Sequence, residues 1–595
     1  MVSLRTAAAV VMGALATAAV ASLLQTQINL YEISRLAVQV PVSVRVGVTI
    51  EDLARFGPVM FGFALAAAVL ALPLRALLRL GRFGHGGFGG LLRNLIASVV
   101  MLAVVLWLLR SVIPMPAIAA IRTLPGLGIV TCAGLVGGLI GHLFACRGAA
   151  VDGTVSADRG DRAVPDAAPA RRTMIAMIAV GLLLPATSFL IMRPTASPLP
   201  PRAAGYQVET VLTGLDRPWS LAHLPDGGML VTEMAGRLRY IDATGASTDV
   251  SVAELPPPYH RGRTIGLMDV ALSPTFAYDR RVYLTMGYQP DGGSGATSGV
   301  RLVRGRLQDM ALRDVEILFE STPKASDGNN GGRMVFLDDS TLLLTVGDGS
   351  VRREEAQNPD NSLGKVMRIR VRPDASSTVA GPGSCAVVAT DAATEMVRNA
   401  PSALPLQGAE SKVAHGVGCD DGPIAVASVY TMGHRNPQGI ARDARSGDVH
   451  VTEHGPRGGD ELNRLRPGGN YGWPLATHGI DYPFARVSPF THLEGLIGPE
   501  LDWTPSIAPS GLTIYEGSLF PQWRGDFLVP SLKERSIRRL IRREGLVVEQ
   551  QLLLAERGER IRDVRVGRDG ALYVLTDGVD GSLLRVTPTR TGDDT

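Results

Sequence analysis

Two kinds of hydrophobic patterning divide the chain. Up to residue 193 the apolar residues come in long runs, near residues 6–25, 59–78, 95–114, 125–145 and 173–192. Each approaches the ~20 residues that a helix needs to cross a bilayer. A cleaved leader would account for the first run alone and for none of the others. The pattern therefore predicts a membrane domain, 1–193, with about five transmembrane helices. The stretch "RPTASPLPPRAAG" that follows is too rich in proline to form a helix, and 194–205 reads as a spacer.

From 206 to 588 the period shortens to two. Apolar and polar residues alternate around Asp-Gly and similar turns, as in paired antiparallel strands half buried on a neighbour. The theme returns at "PWSLAHLPDGGMLVTEMAGRLRYI", "GLMDVALSPTFAYDRRVYLTMG", "GGRMVFLDDSTLLLTVGDG", "NPQGIARDARSGDVHVTEHGP", "PSGLTIYEGSLFPQWRGDFLVPSLKERSIRRL" and "IRDVRVGRDGALYVLTDGVDGSLLRVTP". Six units of about 64 residues have room for a four-stranded blade with long loops. One such unit cannot bury its own faces, whereas radial stacking closes the sheet edges. The predicted fold is thus N-terminal all-α transmembrane helices followed by an all-β six-bladed propeller, with 589–595 as a tail. A β-sandwich or β-helix fits so long a repeat less well.

Charge adds orientation and excludes one class of partner. The net charge of +3 comes with no basic stripe interleaved with aromatics, which argues against nucleic acid. Arg75, Arg79, Arg82 and Arg93 crowd the loop between the second and third apolar runs, and Arg147, Arg159, Arg162, Arg171 and Arg172 that between the fourth and fifth. Positive loops stay cytoplasmic, so the expected location is the inner (cytoplasmic) membrane, multi-pass, with the propeller on the outer side. There Cys385 and Cys419 have the chance to close a disulfide, while Cys132 and Cys146 read as small packed residues. His142, inside an apolar run, reads as a packed histidine.

The loops on one face of a propeller converge, so polar motifs distant in sequence meet there. The motifs that open or close the repeats are "GRTIGLMDVALSP", "GNNGGRMVF", "GHRNPQGI", "TEHGPRGGDELNRLRPGGNYGWP", "VPSLK" and "RIRDV". With "MGHRNPQGIA", "EHGPRGGDELN", "NYGWP", "PSIAPSG" and "RIRDVRVGRDGALYVLTD", the chain from Leu212 to Pro588 resembles the soluble quinoprotein glucose dehydrogenases and aldose sugar dehydrogenases, the glucose/sorbosone dehydrogenase family. The resemblance implies a propeller that binds pyrroloquinoline quinone (PQQ) above a calcium ion and oxidises the C1 hydroxyl of an aldose sugar. Gly455 and Pro456 match the family's calcium ligands, and backbone carbonyls suit that ion. His454, Lys533, Arg560, Arg562, Arg435 and Asn436 fall on positions that surround the cofactor, whose carboxylates call for cations. By itself the "HGP" turn also reads as a proline-fixed blade connection. Asp460 and Glu461 read either as ligands of a second calcium or as turn caps.

Two positions depart from the family pattern. Asn329 stands where the family has its catalytic histidine, and an amide cannot accept a proton. Thr264 replaces a glutamine that contacts the cofactor. Asp327 and His260 are substitute bases for an active enzyme. The other readings are a cofactor- or sugar-binding propeller with a membrane anchor or signalling role, and a calcium-dependent lactonase-type hydrolase, because a fold does not dictate chemistry. An active enzyme would pass its electrons to a membrane quinone or cytochrome, although the apolar runs carry no haem-ligand pair and no CxxCH motif.

Overall fold

The computed structural model describes residues 4–36, 38–79, 87–112, 119–152, 198–290, 297–325, 327–372, 386–388 and 424–589, with Ala176 and Ala179. The fifth apolar run, apart from Ala176 and Ala179, and the Cys385 and Cys419 pair lie outside the described residues. The chain forms two compact units, one of residues 1–195 with Ile480–Pro489 and one of the remainder.

The first unit is helical: α1 (Leu4–Arg35), α2 (Val42–Arg55), α3 (Gly57–Arg79), α4 (Gly87–Val112), α5 (Leu124–Thr131) and α6 (Ala133–Asp152). Four helices, Thr6–Arg35, Gly57–Leu78, Phe88–Ser111 and Leu124–Ala145, are long and apolar enough to cross a membrane. Small residues let them approach closely. A Cβ on Gly137 of α6 would collide with Thr17 and the Gly13 carbonyl of α1.

The sequence pattern does not anticipate that ten residues from within the β-rich region belong to this unit. Phe484 and Ala485 are buried in its apolar core with Phe56, Met60 and Leu106. Arg486 forms a two-pronged ion pair with Glu51 (2.6 and 2.9 Å), and its N–H donates to Asp52 (2.9 Å). Asn29 Nδ2 donates to the carbonyls of Arg486 and Val487, and Arg122 pairs with Asp481. The physical reason is that the segment offers these polar helix residues complementary groups, a guanidinium for Glu51, a backbone N–H for Asp52, carbonyls for Asn29 and a carboxylate for Arg122.

The second unit is the expected six-bladed propeller. Its innermost strands are β2 (Pro218–His223), β6 (Leu267–Leu272), β10 (Gly331–Phe336), β15 (Pro437–Arg442), β19 (Thr513–Ile514) and β23 (Ile561–Val566). Each opens one of the sequence repeats. Blades one, two, four and five run outward in chain order, and blade three carries a fifth strand, β13 (Ala386–Val388), parallel to β14 (Ala425–Met432). Blade six is closed by the first strand of the domain. Strand β1 (Tyr206–Leu215) pairs antiparallel with β25 (Gly581–Pro588), from Tyr206 opposite Pro588 to Leu215 opposite Gly581. Pairing the two chain ends removes an open edge.

Alternation along each strand assigns side chains to the two neighbouring interfaces. On β11 (Thr341–Val346), Leu342 and Leu344 pack with Leu302 and Phe319 of blade two, while Leu343 packs with Ile440 and Val451 of blade four. On β20 (Phe527–Pro530), Phe527 and Val529 face Leu462 and Trp503 of blade four, and Leu528 faces Val574 and Leu584 of blade six.

Around the axis polar groups replace this apolar packing, with Arg333 at the centre. Its Nε donates to the Gln438 carbonyl (3.0 Å) and its Nη2 to those of Ser510 (2.8 Å) and Arg562 (3.2 Å). Its Nη1 pairs with Asp269 (3.3 Å) and Asp563 (3.2 Å), and the guanidinium lies 4.0 Å over the Trp219 ring. All six blades thereby touch one side chain. Gly331 (φ 69°) and Gly332 (φ 99°) adopt the left-handed turn that leads into it. We expect Arg333→Met to lower stability by about 3–5 kcal/mol, because two buried carboxylates are left sharing Arg565 as their one remaining cation in the network. Urea unfolding of the full chain, followed by tryptophan fluorescence, measures this, and a loss under about 1 kcal/mol would contradict the assignment.

Candidate active site

Residues just before an innermost strand and residues just after the adjacent antiparallel strand share one end of a blade. Thr264, Asn329, Arg435, Asn436 and Arg560 belong to the first group, and Asp348, His454, Lys533 and Asp577 to the second. This explains how motifs about 300 residues apart reach a single face.

Hydrogen bonds connect them from blade three to blade six. Asn329 Nδ2 donates to Asp348 Oδ1 (2.7 Å), and the Asp348 N–H to the Arg435 carbonyl (2.8 Å). Asn436 accepts from the Gly331 N–H and from Gln438. Arg435 Nη1 donates to the carbonyls of His454 (3.0 Å) and Gly455 (2.8 Å), and its guanidinium stands 5.5 Å from the Trp473 ring centre. His454 Nε2 donates to the Pro509 carbonyl (2.7 Å), and the Lys533 N–H reaches the Ile507 carbonyl (3.1 Å). Arg560 and Arg562 share one carboxylate, Asp577, at 2.7 and 2.8 Å.

Electrostatics reflect this convergence. Burial, with the charges of Arg435, Arg562 and Arg560, pushes the His454 imidazole down to about 3, so it is neutral near pH 7. With Nε2–H donating, Nδ1 is its acceptor. Burial alone would raise Asp577, but the Arg562 charge and the bonds from both arginines outweigh it and hold the carboxyl at about 2. Lys533 is exposed and has no side-chain partner among the described residues.

The sequence-based assignments divide accordingly. Asp460 acts as a clamp: Oδ1 accepts from the Gly455 N–H, and Oδ2 from Ser506 Oγ and the N–H groups of Ile507 and Ala508. Of its two readings, turn cap and calcium ligand, this bonding favours the first. Glu461 lies opposite Glu453 and Asp502 in the sheet register, and burial followed by the Glu453 charge holds its carboxyl well above the usual range. Among the described residues no group of three His, Cys, Asp or Glu side chains is arranged to hold a metal. The "HGP" turn offers carbonyls instead, and those of His454 and Gly455 converge on one cationic nitrogen. A Cβ on Gly455 would collide with the carbonyls of Gly458 and Gly459, so glycine alone allows this turn.

Thr264 Oγ1 turns back to the Arg261 carbonyl (2.9 Å), and His260 Nε2 to that of Gly262 (3.1 Å). Asp327, at the partly exposed rim, accepts from Tyr259 (3.0 Å) and pairs with Arg261 (2.9 Å). Asn330 Nδ2 joins the carbonyls of Thr264 and Asp327, each at 2.7 Å. Sequence reasoning missed three residues here. Asp348 orients Asn329 and Trp473, whose Nε1 donates to it (2.8 Å), and Lys324 is pushed to about 8 by burial despite nearby Asp327 and Asp348. The "GDG" after β11 was a signal for Asp348, but the isolated lysine had none.

The family model for glucose / sorbosone dehydrogenase matches residues 215–384 and 389–585, more than half of the chain. The chain belongs to this family. The aldose sugar dehydrogenase YliI of Escherichia coli (strain K12) is 35% identical over 397 residues, covering 65% of this chain and 94% of the relative. Quinoprotein glucose dehydrogenase B of Acinetobacter calcoaceticus is 24% identical over 457 residues, covering 63% and 86%. The apo-form crystal structure of the soluble aldose sugar dehydrogenase of Escherichia coli superposes with a TM-score of 0.53 at 34% identity, covering 64% of this chain and 100% of that one. The matched family region excludes the long apolar helices.

The Asp577 pairing predicts an acid-sensitive increment of stability. The carboxyl ordinarily titrates near 3.8, so its contribution is complete above about pH 4 and is lost as pH falls through 2. Asp577→Asn should cost about 2 kcal/mol at pH 7, with the gap between variant and parent closing below pH 3 in thermal melts.

Proposed function

We propose that the propeller is a sugar dehydrogenase that removes two electrons and two protons from the C1 hydroxyl carbon of an aldose, using PQQ and calcium. The observation that carries this reading is the convergence of Arg435, Arg560 and Arg562 around His454, beside the paired carbonyls of His454 and Gly455. Among the described residues one carboxylate, Asp577, pairs with both Arg560 and Arg562, which leaves a positive surplus suited to an acidic cofactor. The carbonyls of Gly455 and Pro456, the positions that match the family's calcium ligands, are hard oxygen donors of the kind calcium accepts. When bound, the quinone supplies the hydride acceptor and calcium polarises it.

The chain's own residues then have three tasks. Arg560, Arg562 and Lys533 bind carboxylates, while Asn436 and Arg435 orient the ring system. Asp327, beside the Asn329 position and at the rim, takes the proton of the sugar hydroxyl. Tyr259 and Arg261 hold it in place. Four helices long enough to cross a membrane support anchoring, and a membrane quinone or cytochrome is the electron acceptor that such an anchor suits.

One observation favours a second reading, cofactor or sugar binding without turnover. Asn329 fills the position of the family's base and is fastened to Asp348 through its amide. The left-handed backbone at Asn329 (φ 47°) is one that histidine also tolerates.

The full chain in detergent micelles, loaded with calcium and PQQ, should reduce an artificial dye when an aldose is added. Asp327→Asn should lower kcat about 10²- to 10⁴-fold, and Asn329→His should raise it. Cofactor binding without dye reduction, with activity appearing only in Asn329→His, would establish the binding reading. Lactone hydrolysis without added cofactor would point to the hydrolase.

A further inference from the structure

From Gly57 to Val151 the chain holds seven arginines and no lysine, aspartate or glutamate. Two of these arginines, Arg75 on α3 and Arg93 on α4, are close enough in the helical unit for their like charges to act on each other. Arg75 Nη2 donates to Ser98 Oγ (2.9 Å). The Nε atoms of both Arg75 and Arg93 are buried with no partner among the described residues. Beside them Asn94 Nδ2 and His142 Nδ1 are 3.1 Å apart. Gly90 leaves open the space next to both groups: a Cβ there would stand 3.5 Å from His142 Cε1 and 3.7 Å from Arg93 Nη2.

The position along the helices matters as much as the charge. Arg75 precedes the last residue of α3 by four positions, and Arg93 follows the first residue of α4 by six. At 1.5 Å per residue these are depths of about 6 and 9 Å, from which a long side chain can still reach the headgroup layer. Charged donors in so apolar a setting are costly unless paired, and among the described residues neither guanidinium forms an ion pair with a carboxylate.

We propose that Arg75 and Arg93, with Ser98 and the Asn94–His142 pair, form a binding site for the phosphate of an anionic phospholipid headgroup. A phosphate brings negative charge and several acceptors to two planar guanidinium forks. Basic pockets between membrane helices recruit such headgroups. A neutral quinone headgroup would accept hydrogen bonds but leave both charges uncompensated, so the charge favours the phosphate. The site is independent of the propeller and of its proposed reaction.

The test uses the delipidated full chain in detergent micelles, titrated with phosphatidylglycerol or phosphatidylcholine and read by native mass spectrometry. Expected are one phosphatidylglycerol per chain with at least tenfold preference over phosphatidylcholine, and no displacement by inorganic phosphate at the same concentration. Retention should fall at least tenfold in Arg75→Gln/Arg93→Gln and survive in Arg35→Gln, which removes an exposed arginine paired with Glu32. A readout that needs no variant is the melting temperature of the unaltered chain, which phosphatidylglycerol should raise and phosphatidylcholine should not. Equal retention of the two lipids, displacement by inorganic phosphate, undiminished binding in the double variant, or preferential retention of a quinone would each overturn the proposal.

Discussion

The propeller depends on the ion-pair network at its axis. Six wedge-shaped sheets pack side by side through apolar interfaces, but their innermost strands end on polar backbone and charge. Arg333 answers this with contacts to all six blades, and Arg565 doubles the positive charge by pairing with Asp563 and Asp269. Two arginines and two aspartates balance in charge, with Arg333 and both carboxylates buried and Arg565 half-buried. Such a network adds little net stability over an apolar plug, yet any single loss is severe because a charge remains buried. Its geometry also sets the approach of β10, and therefore the position of Asn329 four residues before Arg333.

The candidate site is built on that rigid base and is positively biased. Its hydrogen bonds run continuously from Asn329 through Asp348, Arg435 and His454 to the loop before blade five, so the loops form one sheet of linked groups. Three of its carboxylates are committed to the protein itself: Asp460 to the turn, Asp577 to two arginines, and Asp348 to Asn329 and Trp473. Asp327, two residues before Asn329, is a carboxylate that its pairing with Tyr259 and Arg261 leaves partly exposed.

The helical unit follows a different physics. Its close packing comes from glycine and alanine, and its polar residues are few and located. On one side Asn29, Glu51, Asp52 and Arg122 are satisfied by a ten-residue segment that returns from late in the sequence. On the other, Arg75 and Arg93 have no carboxylate partner among the described residues. Burial of Asp52 raises its carboxyl to about 6 in spite of the Arg486 N–H and Thr26, so the first side is satisfied but strained electrostatically.

Much of this was legible in the sequence because periodicity is a local property. The apolar runs and the six alternating repeats predicted helices and blades, and each repeat begins at an innermost strand, where the Gly-rich turn into the axis leaves a composition signal. The family resemblance likewise pointed to Arg435, His454, Arg560 and Arg562 as neighbours around one site, and their two-residue spacing put Arg560 and Arg562 together. What the sequence could not supply was the pairing of groups remote in the chain. The closing strand Tyr206–Leu215, the clamp by Asp460, the lowered Lys324 and the assignment of Ile480–Pro489 to the helices all arise from contacts whose partners lie tens to hundreds of residues away. Those contacts are chosen by burial and hydrogen-bond satisfaction across the whole fold, and no local pattern encodes them.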